Sequence, residues 1–161
     1  MASIGKIARR TFLFGAVAVA GGTAFGAWYV TRPAANPLDP ENGALNPFVV
    51  INADGITLIA PRAEMGQGTQ TTWAALIAEE LDVTLDQVRI EHGPPAQAYY
   101  NGALMAEGLP HKGYDASAFQ HSLGEAMGMM GKVFSMQVTG GSTAMKDGFE
   151  RMRVAGAGAR E

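Results

Sequence analysis

The feature that most constrains this chain is an uncharged apolar run from Phe12 to Val30, which follows a basic head containing Arg9 and Arg10. The run is about 20 residues long, enough for a helix to span a bilayer. The basic residues would stay on the cytoplasmic side. The alternative is a buried core helix, which the flanking basic pair disfavours. Residues 1–30 are therefore predicted to be an export signal or a membrane anchor.

The basic pair adds a more specific expectation about export. Arg9 and Arg10, followed by Thr11, Phe12 and Leu13, resemble the twin-arginine export signal. That pathway moves proteins already folded around a cofactor, so the resemblance implies a periplasmic protein. The small residues of "GTAFGA" would permit cleavage, whereas the length of the run would permit retention at the inner membrane. The sequence leaves both outcomes open.

The segment after the apolar run is rich in proline, which predicts an extended linker over residues 31–46. Residues 47–161 are then expected to form one modest domain. A net charge of −3 without a basic stripe gives no sign of a nucleic-acid surface. The chain has no cysteine, which excludes disulfides, zinc–thiolate sites and cysteine-ligated iron–sulfur clusters within it.

Hydrophobic periodicity in residues 47–161 predicts an α+β fold with a β-hairpin, a third strand and three helices. "NPFVVINADGITLIAP" has turn residues between two apolar runs, which is typical of a hairpin, and "QVRIEH" alternates as a strand does. Helical spacing follows Gly68, extends from Asp115 to about residue 135, and follows Ser142. The predicted order is strand, strand, helix, strand, helix, helix, without repeated βαβ units.

Two glycine-containing turns stand before predicted helices, in "RAEMGQGTQTTW" and in "TGGST". Gly66 and Gly68 are expected to leave backbone N–H groups accessible at a helix start, where an anion would bind. The amide of Gln67 could recognise the edge of a heterocycle. The pair of turns would suit a long polar cofactor or a ligand with more than one phosphate. Ordinary capping with a tight entry turn is the alternative.

The motifs around these turns resemble a known family. "AEMGQGTQTTWAALIAEELDVTLDQVRIEHGPP" resembles the molybdopterin-binding segment of the xanthine dehydrogenase and aldehyde oxidase family. With "QVTGGSTAMKDGFERMRVAGAGARE", the resemblance narrows to the N-terminal part of the large subunit in the branch that contains isoquinoline 1-oxidoreductase and periplasmic aldehyde dehydrogenases. The resemblance implies a partial molybdopterin-binding domain at residues 47–161.

The resemblance also implies which residues bind the cofactor, molybdopterin cytosine dinucleotide. The first turn matches the loop that contacts the pterin, and the second matches the turn that holds the phosphate and dinucleotide portion. Segment 102–137 resembles a longer form of the loop between the two motifs, which would cover either the cofactor channel or a partner subunit. The implied cofactor-binding residues are Met65, Gly66, Gln67, Gly68, Thr69, Gly140, Gly141, Ser142 and Thr143.

The implied enzyme would oxidise aldehydes or N-heterocycles with water as the oxygen source. The family's second cofactor loop and catalytic glutamate have no counterpart in this chain, and Glu64, Glu79 and Glu80 are not that glutamate. The expectation is therefore a fragment, inactive alone, from a split subunit or a truncated gene. Its implied partners are the remainder of the large subunit, a small 2Fe–2S subunit that carries the iron–sulfur clusters, and a cytochrome c.

Other polar residues suggest no catalytic or metal site. His92, His111 and His121 lack metal-ligand spacing. A core or a subunit interface fits the helically spaced methionines better than metal ligation; these are Met127, Met129, Met130, Met136, Met145 and Met152. His92 ends a predicted strand, where it would face either solvent or the cofactor. A second hypothesis is an exported or membrane-anchored module without catalysis that binds a partner through the methionine-rich helix.

Overall fold

The computed structural model describes residues 4–109 and 115–161, which form two compact units divided after Pro33. The first unit is helix α1, Ile4–Thr31. Its stretch Phe14–Thr31 is long and apolar enough to cross a membrane, as a signal sequence also is. Near its end, the Arg32 guanidinium lies over the rings of Trp28 and Tyr29, at 4.9 and 4.7 Å. Side chains before Phe14, including the predicted signal pair at positions 9 and 10, lie outside the described part.

The second unit contains a three-stranded sheet in the order β1-β2-β3. Strands β1, Val49–Asn52, and β2, Gly55–Ala60, are antiparallel across a two-residue turn, which confirms the predicted hairpin. Strand β3, Val88–His92, confirms the third strand and pairs with β2 in parallel, in register from Ile56 opposite Val88.

The parallel pair requires a crossover, and helix α2, Thr69–Leu81, supplies it. The sequence pattern predicted the helix but not the direction of β3. Ala60 and His92 are partners in the register, so the carboxyl ends of β2 and β3 lie side by side. Ligands of α/β proteins bind preferentially at this edge of parallel strands.

Three further helices complete the second unit. Helix α3 is a short segment, Gly102–Ala106, which the periodicity did not predict. Helix α4, Ala118–Val133, begins with a capping box in which the Ser117 and Gln120 side chains bond each other's backbone N–H. Helix α5 is Thr143–Arg160. The architecture is the predicted α+β fold.

The core forms where α2 and α5 pack against the sheet. Two glycines of α5 permit this close contact: a Cβ added at Gly148 would lie 2.3 Å from Trp73 Nε1, and one at Gly156 would lie 2.8 Å from Glu80 Cβ. Trp73, Ile77, Leu58, Val49, Tyr99 and Met152 are fully buried in this core.

The second unit begins earlier than the predicted domain boundary. It includes residues from Ala34, although 31–46 was predicted to be a linker. Ala34 and Leu38 pack against the core, and Ala44 is buried and bridges to Val50. Proline favours extended backbone but does not prevent packing against a domain, so composition alone could not place this boundary.

Candidate functional site

The first glycine turn follows β2 and is closed by a carboxylate of the chain itself. Glu64 Oε1 accepts hydrogen bonds from the N–H groups of Gly66 and Gly68, both at 2.9 Å, and Oε2 accepts one from Gln70 N–H at 3.0 Å. Both glycines have positive φ, 94° and 76°, which lets the backbone curl around the carboxylate. Glu64 therefore caps the N-terminus of α2.

This arrangement differs from the predicted accessible amides. The backbone N–H of Gln70, then that of Gly68, stabilises the charged carboxylate and lowers the pKa of Glu64. Any further anion at this helix start would therefore have to compete with Glu64. The sequence signal for this cap was available, because an acidic side chain shortly before a helix is favoured by the helix dipole.

Gln67 also bonds within the loop. Its Oε1 accepts from Met65 N–H at 2.6 Å, and its Nε2 donates to the carbonyl of Ala63 at 3.1 Å. Met65 itself projects outward and is 72% exposed. Thr69 is buried at the first position of α2. The loop is thus internally braced, with its methionine and its two glycines on the surface.

The second glycine turn is capped differently. Ser142 occupies the N-cap position of α5 with φ 54°, and its side chain makes no cap hydrogen bond. Gly140 is open, since an added Cβ would meet nothing within 4 Å. Thr143 is fully buried, and its hydroxyl donates to the Gly140 carbonyl at 2.7 Å. Thr143 therefore shapes the turn from inside.

Asn101 fixes this second turn to the rest of the domain. Its side chain is fully buried, and Nδ2 donates to the Val138 carbonyl at 2.9 Å and to Thr143 Oγ1 at 2.7 Å. Its Oδ1 accepts from Leu104 N–H at the start of α3. Asn101 was not predicted from its sequence context, because Val138 and Thr143 lie far along the chain.

The segments that precede the two turns contact each other. Ala63 N–H donates to Thr139 Oγ1 at 3.1 Å, and Gln137 Nε2 donates to the Pro61 carbonyl at 2.7 Å. Gly140 directly follows Thr139, and Gly66 lies three residues after Ala63, at most about 11 Å of extended chain. Both predicted turns therefore lie at the same edge of the second unit.

A buried ion pair reinforces this junction. Arg62 Nη2 donates to Asp147 Oδ2 at 2.7 Å and to the Ala144 carbonyl at 3.4 Å. Asp147 Oδ1 accepts from Gly102 N–H at 2.8 Å and thereby caps α3. Desolvation lowers the pKa of Arg62, and the adjacent carboxylate opposes that shift. Neither residue was identified from the sequence.

An open groove of about 750 Å³ lies beside this junction. It borders the carboxyl ends of β2 and β3, and His92 at the end of β3 lines it. The Nε2 atoms of His92 and Gln70 are 3.2 Å apart, and Gln70 Nε2 also donates to the Arg62 carbonyl at 3.4 Å. The groove therefore lies between the segment after β2, the end of β3 and the segment before α5, and Gln70 of α2 contacts His92 at its border. Its lining includes Pro61, Ala63, Gln97, Met136, Gln137 and Thr139.

Comparisons with known proteins include the sheet and the first glycine turn. A family model described as the molybdopterin cofactor-binding domain matches residues 16–106. The chain is 31% identical over 102 residues to isoquinoline 1-oxidoreductase subunit beta from Brevundimonas diminuta. That alignment covers 62% of this chain and 13% of the relative, so the chain spans only a small part of the relative's length. No solved structure matches the chain.

Proposed function

This chain belongs to the molybdopterin cofactor-binding domain family, and we propose that its two glycine turns together hold a molybdopterin cofactor in a molybdenum hydroxylase. The contact between Ala63 and Thr139 carries the proposal, because it joins the segments leading to both turns. A cofactor with a pterin at one end and a nucleotide at the other needs contacts at two separated places on one edge. The junction supports that arrangement.

The open space at the turns fits such a group. A Cβ added at Gly66, Gly68 or Gly140 would meet no atom within 4 Å, so the absence of side chains there leaves the backbone approachable. The N-terminus of the 18-residue α5 carries the positive end of the helix dipole, and the Ser142 side chain makes no cap hydrogen bond there. Thr143 N–H is bonded to the Gly140 carbonyl at 3.2 Å. Gly140, Gly141 and Ser142 are thus suited to the phosphate and dinucleotide portion, and the buried Thr143 would contribute by shaping their turn.

The first turn is suited to a different contact. Because Glu64 occupies the amides of Gly66, Gly68 and Gln70, this turn offers shape and side chains more readily than anion-binding amides. The Gln67 amide is held in one orientation by Met65 and Ala63, from which it can exchange a loop bond for a bond to the pterin edge. We assign the pterin to Met65–Thr69 and propose the cytosine dinucleotide form of the cofactor.

The chemistry of the whole enzyme lies mostly outside these residues. The bound cofactor would supply the oxidation of an aldehyde or an N-heterocycle with oxygen from water. The chain spans 13% of its relative, so we propose that the rest of the large subunit provides the catalytic residues and that the chain alone has no turnover. Electrons would pass to a small 2Fe–2S subunit and then to a cytochrome c.

The location of the protein is part of the same proposal. The apolar part of helix α1, Phe14–Thr31, follows the twin-arginine-like pair of the sequence. We propose export to the periplasm by the twin-arginine pathway, after the cofactor has been inserted. Retention at the inner membrane by α1 is compatible with the Trp28, Tyr29 and Arg32 cluster at its end, since such residues favour a membrane interface.

The test compares two glycines that both have open surroundings. The full chain is co-expressed, in a host that makes the cofactor, with the Brevundimonas diminuta subunit from which the aligned region has been deleted, called here the truncated relative. Gly140→Leu should lower molybdenum and cytosine nucleotide in the purified complex at least tenfold, because the side chain would fill the ligand's place. Gly158→Leu, in an equally open position late in α5, should retain both.

Two results would count against the proposal. One is equal molybdenum content in the Gly140→Leu and Gly158→Leu complexes. The other is a wild-type complex that forms stably but contains no molybdenum, which would favour the alternative of a partner-binding module without catalysis.

A further inference from the structure

Helix α4 has a glycine face that packs directly on backbone. A Cβ added at Gly131 would lie 2.8 Å from the Asn101 carbonyl oxygen, and one at Gly128 would lie 3.3 Å from the Gly102 carbonyl oxygen. The contact at Gly131 leaves no space for a side chain and the contact at Gly128 leaves very little, so a different face of α4 could pack on α3 only if the two helices moved apart. The orientation of α4 is therefore fixed by its glycines.

The opposite face of α4 is apolar and exposed. On a helical wheel with about 100° per residue, five apolar residues lie within an arc of about 80°. The centre of this arc is about 150° from the midpoint of Gly128 and Gly131. The five residues are Phe119, Leu123, Ala126, Met130 and Val133. Phe119 is 77% exposed, and Phe134, immediately after the helix, is 63% exposed. We call these six residues the apolar stripe. Contiguous exposed apolar patches of this kind are uncommon on monomeric soluble proteins and mark interaction sites.

The chemistry of the stripe favours a protein partner. None of its residues is charged, and the two charged side chains of α4, Glu125 and Lys132, lie elsewhere on the helix. Lys132 is buried. Helices that bind anionic lipid carry several Lys or Arg residues beside their apolar face, and α4 does not. An apolar protein surface is the better complement.

We propose that the apolar stripe is the docking surface for the remainder of the molybdopterin-binding subunit. The inference rests on the proposed function and names the partner of one surface. The relative is far longer than this chain, which spans 13% of it, so a working cofactor site requires a large additional body against this domain. The stripe is on the same unit as both turns but lies outside the family match at residues 16–106, and it is uncovered in the isolated chain.

The experiment uses the full tagged chain, purified in mild detergent after co-expression with the truncated relative. Phe119→Asp combined with Leu123→Asp should reduce co-purification of the truncated relative at least tenfold, and Met130→Asp alone should reduce it severalfold. Ala118→Asp is the matched control for Met130→Asp, because it also adds one negative charge, at an exposed α4 position about 100° from the stripe centre. Circular dichroism and thermal unfolding should be unchanged, since the altered side chains are exposed.

The outcomes separate docking from cofactor binding. Equal co-purification of all variants, or no capture by the wild-type chain, would overturn the docking proposal. So would a dimer of the chain alone that Phe119→Asp with Leu123→Asp converts to a monomer, because the occupant would then be a second copy. A stripe-dependent complex without molybdenum would leave docking intact and refute the proposed function instead.

Discussion

Arg62 and Asp147 form a 2.7 Å ion pair with side chains that are only 1% and 4% exposed. The pair joins the residue two positions after β2 to the first turns of α5, 85 residues later. It therefore ties together the segments that carry the two glycine turns. Arg151 adds a second cation at 3.4 Å from Asp147 Oδ1 and packs over the Tyr100 ring at 3.9 Å.

Replacing Asp147 by Asn should be strongly destabilising. The change leaves a buried guanidinium without its carboxylate, which typically costs about 3 kcal/mol or more. Urea unfolding followed by circular dichroism would measure the loss. Replacing Arg153, whose pair with Glu80 is at the surface, should leave the midpoint almost unchanged. Similar midpoints for both variants would show that the buried pair does not hold the fold.

Glu64→Gln should make the melting temperature less dependent on pH. The lowered pKa of Glu64 means that its carboxylate contributes stability above pH 4.5 and loses that contribution as the pH falls through the folded value. The difference in melting temperature from the wild type should be largest near pH 7 and shrink in acid. Glu79→Gln, on the exposed side of the same helix, is the control. A difference that is constant from pH 7 to pH 3 would contradict the cap.

Asn101→Ala should loosen the second glycine turn selectively. It removes the donor to Val138 and Thr143 and leaves buried acceptors unpaired, which costs about 2 kcal/mol. Hydrogen exchange should accelerate over residues 138–146 more than over α2. Asn36→Ala, at an exposed position, should change neither. Uniform acceleration across the domain would indicate general destabilisation rather than a local role in shaping the turn.

Gly148→Ala should destabilise the domain, although alanine favours helices. The added Cβ would lie 2.3 Å from the indole nitrogen of Trp73, which is fully buried and cannot move aside easily. Overpacking of this kind costs about 1–3 kcal/mol. Gly158→Ala, with no atom within 4 Å, should instead stabilise α5 by about 0.5–1 kcal/mol. Denaturant unfolding measures the change in the free energy of unfolding for each variant. If Gly148→Ala also stabilised the domain, the close packing of Gly148 on Trp73 would be contradicted.

The free energy of unfolding should fall in strong alkali because of Tyr99. Burial raises its pKa from 10.0 to about 12, and its hydroxyl donates to the Pro47 carbonyl at 2.7 Å. Between these two values the unfolded chain loses the phenolic proton while the folded chain keeps it, so the free energy of unfolding falls by on the order of 1–2 kcal/mol. Tyr99→Phe removes this contribution. Urea unfolding of the wild type and of Tyr99→Phe measures this from pH 10 to 12. If the free energy of unfolding falls equally in both proteins, the ionisation of Tyr99 is not the cause.

Local sequence patterns were sufficient for the three strands, for every described α-helix except α3, and for the place of the two turns. The apolar run after Arg10, the turn residues between β1 and β2, and helical spacing after Gly68 each depend on neighbouring residues alone. The role of Glu64 was within reach of the same reasoning, since its partners lie within six residues. Ala34 and Leu38 were predicted to lie in a linker, but they pack against the core of the second unit. The sequence could not show this because their contacts are with residues far along the chain.

By itself the sequence determined the strands, the described helices other than α3, the molybdopterin-binding resemblance and the two glycine turns as candidate contacts. Only the tertiary structure decided that β3 runs parallel to β2, that Arg62 meets Asp147, and that the glycines of α4 turn its apolar stripe outward. The reason is physical: local conformation follows from interactions a few residues apart, whereas these three arrangements depend on packing between segments far apart in the chain, which no local pattern encodes.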